Sequence, residues 1–190
     1  MAKIQKKIVV VDDDNTSLSA YKNILKQSYE VFPVPSAAKM FDLLRHVMPD
    51  LILLDVDMPE INGYEAAGRL KKDELLCKIP VIFLSGRVDP QSEAFGLNMG
   101  AVDYIHKPIV KELLLKRIDN QLSLVEARKS LEERKKSVRE TRDSLKAIIG
   151  VLGSAGNSSD PGVQKSGLHE AGNMAKKLLS LLDSAAENDN

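Results

Sequence analysis

The sequence has no tryptophan, only four tyrosines and four phenylalanines, and a single cysteine among 190 residues. So few aromatics exclude the stacking platform that single-stranded nucleic acid requires, and they leave the core to aliphatic side chains. One cysteine, Cys77, cannot close an intrachain disulfide. Excess charge is missing too. Lys plus Arg and Asp plus Glu both number 27, so no global field draws the chain toward DNA, RNA or anionic lipid. No uninterrupted apolar stretch approaches the roughly 18 residues of a membrane span. The opening Met1 to Lys7 is followed by only a short apolar run before Asp12, which is not the form of a signal peptide. These absences predict a cytoplasmic, reducing environment, with no direct nucleic-acid binding and no membrane insertion. The polar ending Glu187-Asn188-Asp189-Asn190 reads as a natural terminus, the alternative being a piece of a longer hybrid protein.

What is present is a chain 43% hydrophobic and 28% charged, the balance of a folded, soluble protein. Its length suits one ordinary domain plus an appendage, or two small domains. Five short aliphatic runs, Ile8 to Val11, Val31 to Val34, Leu51 to Leu54, Val81 to Leu84 and Val102 to Ile105, predict strands. Between them lie segments of helical length with apolar residues three and four apart, such as Leu18, Tyr21, Leu25 and Met40, Leu43, Leu44, Val47. Runs apolar on both faces, alternating with helices, predict an α/β fold with a doubly wound five-stranded parallel sheet. In such a sheet ligands bind at the carboxyl ends of the strands.

From Ile109 onward the strand signals stop. Leu124, Leu131, Val138, Leu145 and Leu152 recur every seven residues in a segment dense in Lys, Arg and Glu, predicting one long helix with a coiled-coil seam. The intermediate seam positions Ala127, Arg134, Thr141 and Ile148 are mixed, so the seam is weak in its middle. Gly153 to Ser159 should break the helix. Asp160-Pro161 has the form of a cap followed by a first helical position, after which Ala171, Met174, Leu178, Leu181 and Ala185 continue an apolar stripe. The expected division is residues 1–122, α/β, and 123–190, a coiled coil and two-helix hairpin, with Glu187 to Asn190 frayed.

Carboxylates collect at the ends of adjacent predicted strands: Asp12-Asp13-Asp14 after the first and Asp55 after the third. Their mutual repulsion is relieved by a hard, oxygen-preferring divalent cation, which makes Mg²⁺ the natural occupant. The fourth strand ends in Ser85-Gly86 and the fifth in Lys107-Pro108. A hydroxyl, an ammonium and Mg²⁺ around one carboxylate are what a phosphoryl group bound to that carboxylate requires. Each residue also has a plain reading, and Asp14 or Asn15 is expected simply to cap the first helix. His46 and His106 suggest no metal site.

About residues 6 to 122 resemble the receiver domains of two-component response regulators. The residues that carry the resemblance are Asp12-Asp13, the run Pro49 to Pro59 with Gly63, Ser85-Gly86, and Gly100 to Pro108. The fold it implies is the flavodoxin-like (βα)5 receiver. It implies that Asp55 accepts a phosphoryl group from a phosphohistidine on a sensor histidine kinase or phosphotransfer protein. Asp12, Asp13, Asp55 and the backbone carbonyl of Asp57 would hold Mg²⁺, while Ser85 and Lys107 grip the phosphoryl oxygens. Tyr104 takes the family's switch position together with Ser85, and a cis peptide precedes Pro108. Asp57 and Arg87, oppositely charged, are expected to pair at the mouth of the site and lengthen the life of the phosphoryl group. The order Asp55-Val56-Asp57 also resembles the opening of haloacid-dehalogenase-type phosphatases, but Pro59 and the position of the acidic pair depart from that motif.

About residues 125 to 186 resemble the dimerisation domain of histidine kinases. Arg139 stands where such a helix bears its phosphoacceptor histidine, and arginine cannot take that role. The resemblance therefore implies a degenerate, dimeric four-helix bundle that signals to a protein partner, rather than an enzyme. The alternative is a phosphorelay intermediate in which His169 carries the phosphoryl group.

Overall fold

The computed structural model describes residues 5–86, 90–156 and 160–187. Five strands, β1 (Lys7–Val11), β2 (Glu30–Val34), β3 (Leu51–Asp55), β4 (Val81–Ser85) and β5 (Asp103–His106), form one all-parallel sheet in the order β2-β1-β3-β4-β5. Parallel neighbours need long crossovers, and these are α1 (Asn15–Leu25), α2 (Ala37–Leu44), α3 (Gly63–Lys72) with a short 3₁₀ turn at Leu76–Lys78, and α4 (Pro90–Asn98). α5 (Lys111–Gly156) and α6 (Pro161–Glu187) follow. The strands differ from the expected runs at their ends. β3 and β4 each extend one residue further, so Asp55 and Ser85 belong to the ladder rather than to loops.

Side chains alternate across each strand, and the two faces bury two separate clusters. On one, Val9, Val11, Ile52, Leu54, Val81 and Phe83 pack with Met40 of α2 and Ala66, Ala67 and Leu70 of α3. On the other, Ile8, Val10, Leu51, Leu53, Ile82 and Leu84 pack with Leu18, Tyr21 and Leu25 of α1 and with Leu114, Ile118 and Leu122 of α5. Each fully buried Leu or Ile contributes about 1.5–3 kcal/mol of hydrophobic transfer. Helix starts are capped locally: Asp14 accepts from the N–H groups of Thr16 and Ser17, and Asn62 accepts from Glu65. Asp14 is thus a cap, as expected of it or its neighbour.

The chain divides into two compact units, residues 1–124 and 125–190. In the second, Asp160 Oδ1 accepts from the N–H of Gly162 at 2.7 Å and Pro161 opens α6. α5 does not stop at Gly153. It runs 46 residues to Gly156, since a glycine costs only about 1 kcal/mol in a helix interior and does not by itself end one. Asn157 to Ser159 and the expected fraying of residues 188–190 lie outside the described residues.

The expected seam positions Leu124, Leu131, Val138, Leu145 and Leu152 are 42–69% exposed in the single chain. In the second unit, the residues of α5 partly withdrawn from water are Ser137, Thr141, Ser144, Ile148 and Val151, spaced four and three apart, and on α6 Ala171 is buried with Met174, Ala175 and Leu178 half-buried. The side chains of Leu181 and Ala185 lie outside the described residues. Among the described residues, no helix is long and apolar enough to cross a membrane.

α3 begins hard against the end of β3. A Cβ on Gly63 would lie 2.2 Å from the Asp55 carbonyl oxygen and 2.9 Å from Val56 Cα, and the Gly63 N–H donates to Val56 O at 3.0 Å. Only the lack of a side chain permits that approach. Gly63→Ala should therefore destabilise the fold by about 1–3 kcal/mol, seen as a lower urea midpoint with an unchanged slope.

Candidate phosphoacceptor site

Because the strands are parallel and β1, β3, β4 and β5 are consecutive in the sheet, their carboxyl ends share one edge. Asp12 directly follows β1, Asp55 ends β3, Ser85 ends β4 and Lys107 follows β5. The register sets Val11 beside Leu54, Asp55 beside Leu84, and Ser85 beside His106. Asp12, Asp55 and Ser85 are all buried. Asp13, exposed, completes a group in which one carboxylate oxygen from each of Asp12, Asp13 and Asp55 lies within 4.8 Å of the others. Asp57 lies just beyond β3 and is exposed.

The buried charge is tied together by Lys107. Its Nζ lies 2.8 Å from Asp12 Oδ2 and 3.0 Å from Asp55 Oδ2. Its backbone N–H donates to Ser85 O at 2.7 Å, and the Lys107–Pro108 peptide is cis, as the resemblance implies. The other Asp12 oxygen accepts from the Asp14 N–H at 2.9 Å. The contact of Lys107 with Asp12 was not foreseen. It needs the stem of Lys107 to cross the ends of β4 and β3, and residue order alone does not reveal that reach.

Burial pushes the Asp55 carboxyl up from its ordinary range, Asp12 adds to this, and Lys107 together with the Asp57 N–H opposes it. Burial disfavours the charge of Lys107, but hydrogen bonds to Asp12 and Asp55 outweigh it, so the ammonium is held more firmly than in water. Burial likewise raises the Tyr21 hydroxyl to about 12 beside these charges. The donor set is all oxygen and carries more negative charge than one ammonium neutralises, which suits a hard divalent cation such as Mg²⁺.

Tyr104 lies inside the protein at 2% exposure, its hydroxyl without a hydrogen-bond partner among the described residues. Leaving such a group unpaired costs about 1–3 kcal/mol. Its ring is edge-on to Phe83 (centroids 6.3 Å apart), Phe83 is edge-on to Tyr64 of α3 (5.1 Å), and Tyr64 is edge-on to Phe95 of α4 (5.0 Å). On its other side, Tyr104 meets His106, whose Nε2 is 3.5 Å from Glu93 Oε2. His106 is thus a packing residue that also meets α4. Sequence reading did not single out Tyr64 or Phe95, which look like ordinary apolar helix positions. Arg87 lies outside the described residues, and with it the expected pair with Asp57. Arg139 is exposed on α5, its Nε 4.0 Å from Asp143, and His169 is exposed on α6.

A carboxylate whose pKa is raised on folding costs stability above its folded pKa, and that cost vanishes as pH falls and the group protonates. Asp55→Asn, which removes the desolvated charge, should raise the melting temperature at pH 7. Scans at descending pH should show the gap to wild type closing as Asp55 takes up its proton.

Residues 8–119 match the family described as the response regulator receiver domain. Protein PilH of Pseudomonas aeruginosa is 33% identical over 118 residues, which cover 62% of this chain and 98% of PilH. A probable cyclic di-GMP phosphodiesterase of Vibrio cholerae is 36% identical over 115 residues, covering 60% of this chain but only 26% of that protein. The chain therefore spans only a part of the length of several curated relatives. A response regulator receiver domain protein from Methanospirillum hungatei superposes with a TM-score of 0.61 at 30% identity, covering 65% of this chain and 98% of that one. The receiver domain of a sensor histidine kinase from Pseudomonas aeruginosa, solved with a magnesium ion in its active-site cleft, shares the fold with a TM-score of 0.58 at 22% identity, covering 63% and 98%. With the parallel sheet, the acidic strand ends and the cis proline after Lys107 all in one place, the chain belongs to the response regulator receiver family.

Proposed function

We propose that the protein is a phosphoacceptor switch: Asp55 takes a phosphoryl group from a phosphohistidine of a sensor histidine kinase or phosphotransfer protein. The observation that carries this reading is the buried Asp55 carboxylate, 3.0 Å from Lys107 Nζ, at the floor of an acidic cluster. A carboxylate oxygen of Asp55 attacks phosphorus, the P–N bond breaks, and its electron pair leaves with the imidazole, which takes a proton from solvent. Lys107 moves from neutralising carboxylates to neutralising phosphoryl oxygens, and the Ser85 hydroxyl donates to another. Asp12, Asp13, Asp55 and the Asp57 carbonyl would hold Mg²⁺, which supplies charge neutralisation for the transferring group. Tyr104 and Ser85 report the change. Asp57 and Arg87 tune how long the phosphoryl group persists.

The second unit, residues 123–190 in this reading, is the output. A two-helix hairpin with its leucine row exposed is half of a four-helix bundle, so the protein functions as a homodimer through α5 and α6 and passes its signal to a downstream protein in the cytoplasm. α5 carries residues of both units and is the route for that signal. The relay alternative, with His169 as carrier, has no structural observation in its favour beyond the exposure of that residue.

Intact mass after treatment with acetyl phosphate and Mg²⁺ should show one phosphoryl adduct, absent with chelator and absent in Asp55→Ala. Lack of an adduct on folded wild type would overturn the switch reading. Light scattering should give twice the chain mass of 20.9 kDa, falling to once that mass in Leu145→Glu/Leu152→Glu while the melting of the receiver stays unchanged. A monomeric wild type would remove the dimer.

A further inference from the structure

A glycine in the last turn of α4 keeps a helical backbone and is not the residue at which the chain turns. Gly96 is the seventh of the nine residues of the helix, although glycine is a poor helix former, and it is buried. What it provides is space. A Cβ there would lie 3.0 and 3.3 Å from two atoms of the Phe83 ring and 3.2 Å from Tyr104 Cδ2. The two rings it borders are partners in the β4–β5 register. Phe83 is also braced from behind by Tyr64, whose hydroxyl donates to Ser92 O of α4 at 3.2 Å. Phe83 is braced by the Tyr64 ring, whereas Tyr104 has the partly exposed His106 on its other side and a hydroxyl without a hydrogen-bond partner among the described residues, so the added atom is accommodated most easily by Tyr104 turning away.

We infer that Gly96 is a positioning residue for the phosphoacceptor site, its missing side chain being the seat that admits the Tyr104 ring. This rests on the reading of Tyr104 as a switch in the proposed function. The physical link from ring to site is short. Tyr104 is three residues before Lys107, and β5 between them is pinned to β4 by the register Ser85–His106 and by the Lys107 N–H donating to Ser85 O. Ring position and the setting of Lys107 and Ser85 are therefore two states of one element. Whatever disfavours the inward ring therefore weakens binding of a phosphoryl group, by up to the same factor.

Alanine is the better helix former but crowds two rings, so the melting temperature of Gly96→Ala does not discriminate, and the comparison with and without the Tyr104 ring separates this from a merely structural role. The test measures beryllofluoride affinity in the presence of Mg²⁺, and the rate of adduct formation from acetyl phosphate, in wild type, Gly96→Ala, Tyr104→Ala and the double variant of the full chain. Gly96→Ala is expected to weaken beryllofluoride binding about three- to tenfold. In the Tyr104→Ala background, where no ring needs the seat, the same substitution is expected to have no effect. If Gly96→Ala binds as wild type while Tyr104→Ala does not, the seat is refuted and the switch stands. If Tyr104→Ala also binds as wild type, the switch itself fails. Should Gly96→Ala weaken binding equally in both backgrounds, its action does not run through Tyr104 and the inference is overturned.

Discussion

Everything at the working edge of this protein depends on one ammonium group between two buried carboxylates. Asp12 and Asp55 are brought side by side by adjacent parallel strands, and without a cation they would repel each other in a place where water cannot screen them. Lys107 supplies that cation at 2.8 and 3.0 Å from the two. The arrangement stays under tension. Burial still lifts the Asp55 carboxyl, so the candidate acceptor is held at a cost to folding stability, and a cation near it relieves that cost.

The sheet makes that tension affordable. Strands β1, β3 and β4 are buried on both faces, and the two clusters they bury anchor the carboxyl ends on which the site is built. Close approach at Gly63 presses α3 against the carbonyl of Asp55 itself, so this carboxylate sits in a tightly packed setting although it lies at the edge of the sheet. On the other side of the sheet edge the packing is aromatic. There, the aromatic series Phe95, Tyr64, Phe83 and Tyr104 links α4 and α3 to β4 and β5, with a hydroxyl left unpaired at its inner end.

The second unit follows a different physical logic. Its two helices withdraw a row from water that mixes Ser137, Thr141 and Ser144 with Ile148, Val151 and Met174, while Leu124, Leu131, Leu145 and Leu152 stay exposed. Apolar surface placed in this way is a surface for association. The receiver family match covers residues 8–119 and does not extend to this unit.

Much of the receiver was legible from residue order. Five aliphatic runs separated by helical periods dictate a parallel sheet, because parallel strands are buried on both faces and need crossovers. Once the sheet is parallel, Asp12, Asp55, Ser85 and Lys107 must share an edge, since each stands at the end of its strand. Contacts made by reach or by empty space were not legible. That Lys107 spans to Asp12 and that Gly96 leaves room for a ring both depend on side-chain direction and backbone separation. Those quantities are set by packing in three dimensions. Strand periodicity is a local property and the sequence determined it alone, whereas the distance between two atoms from separate elements exists only after the elements have packed.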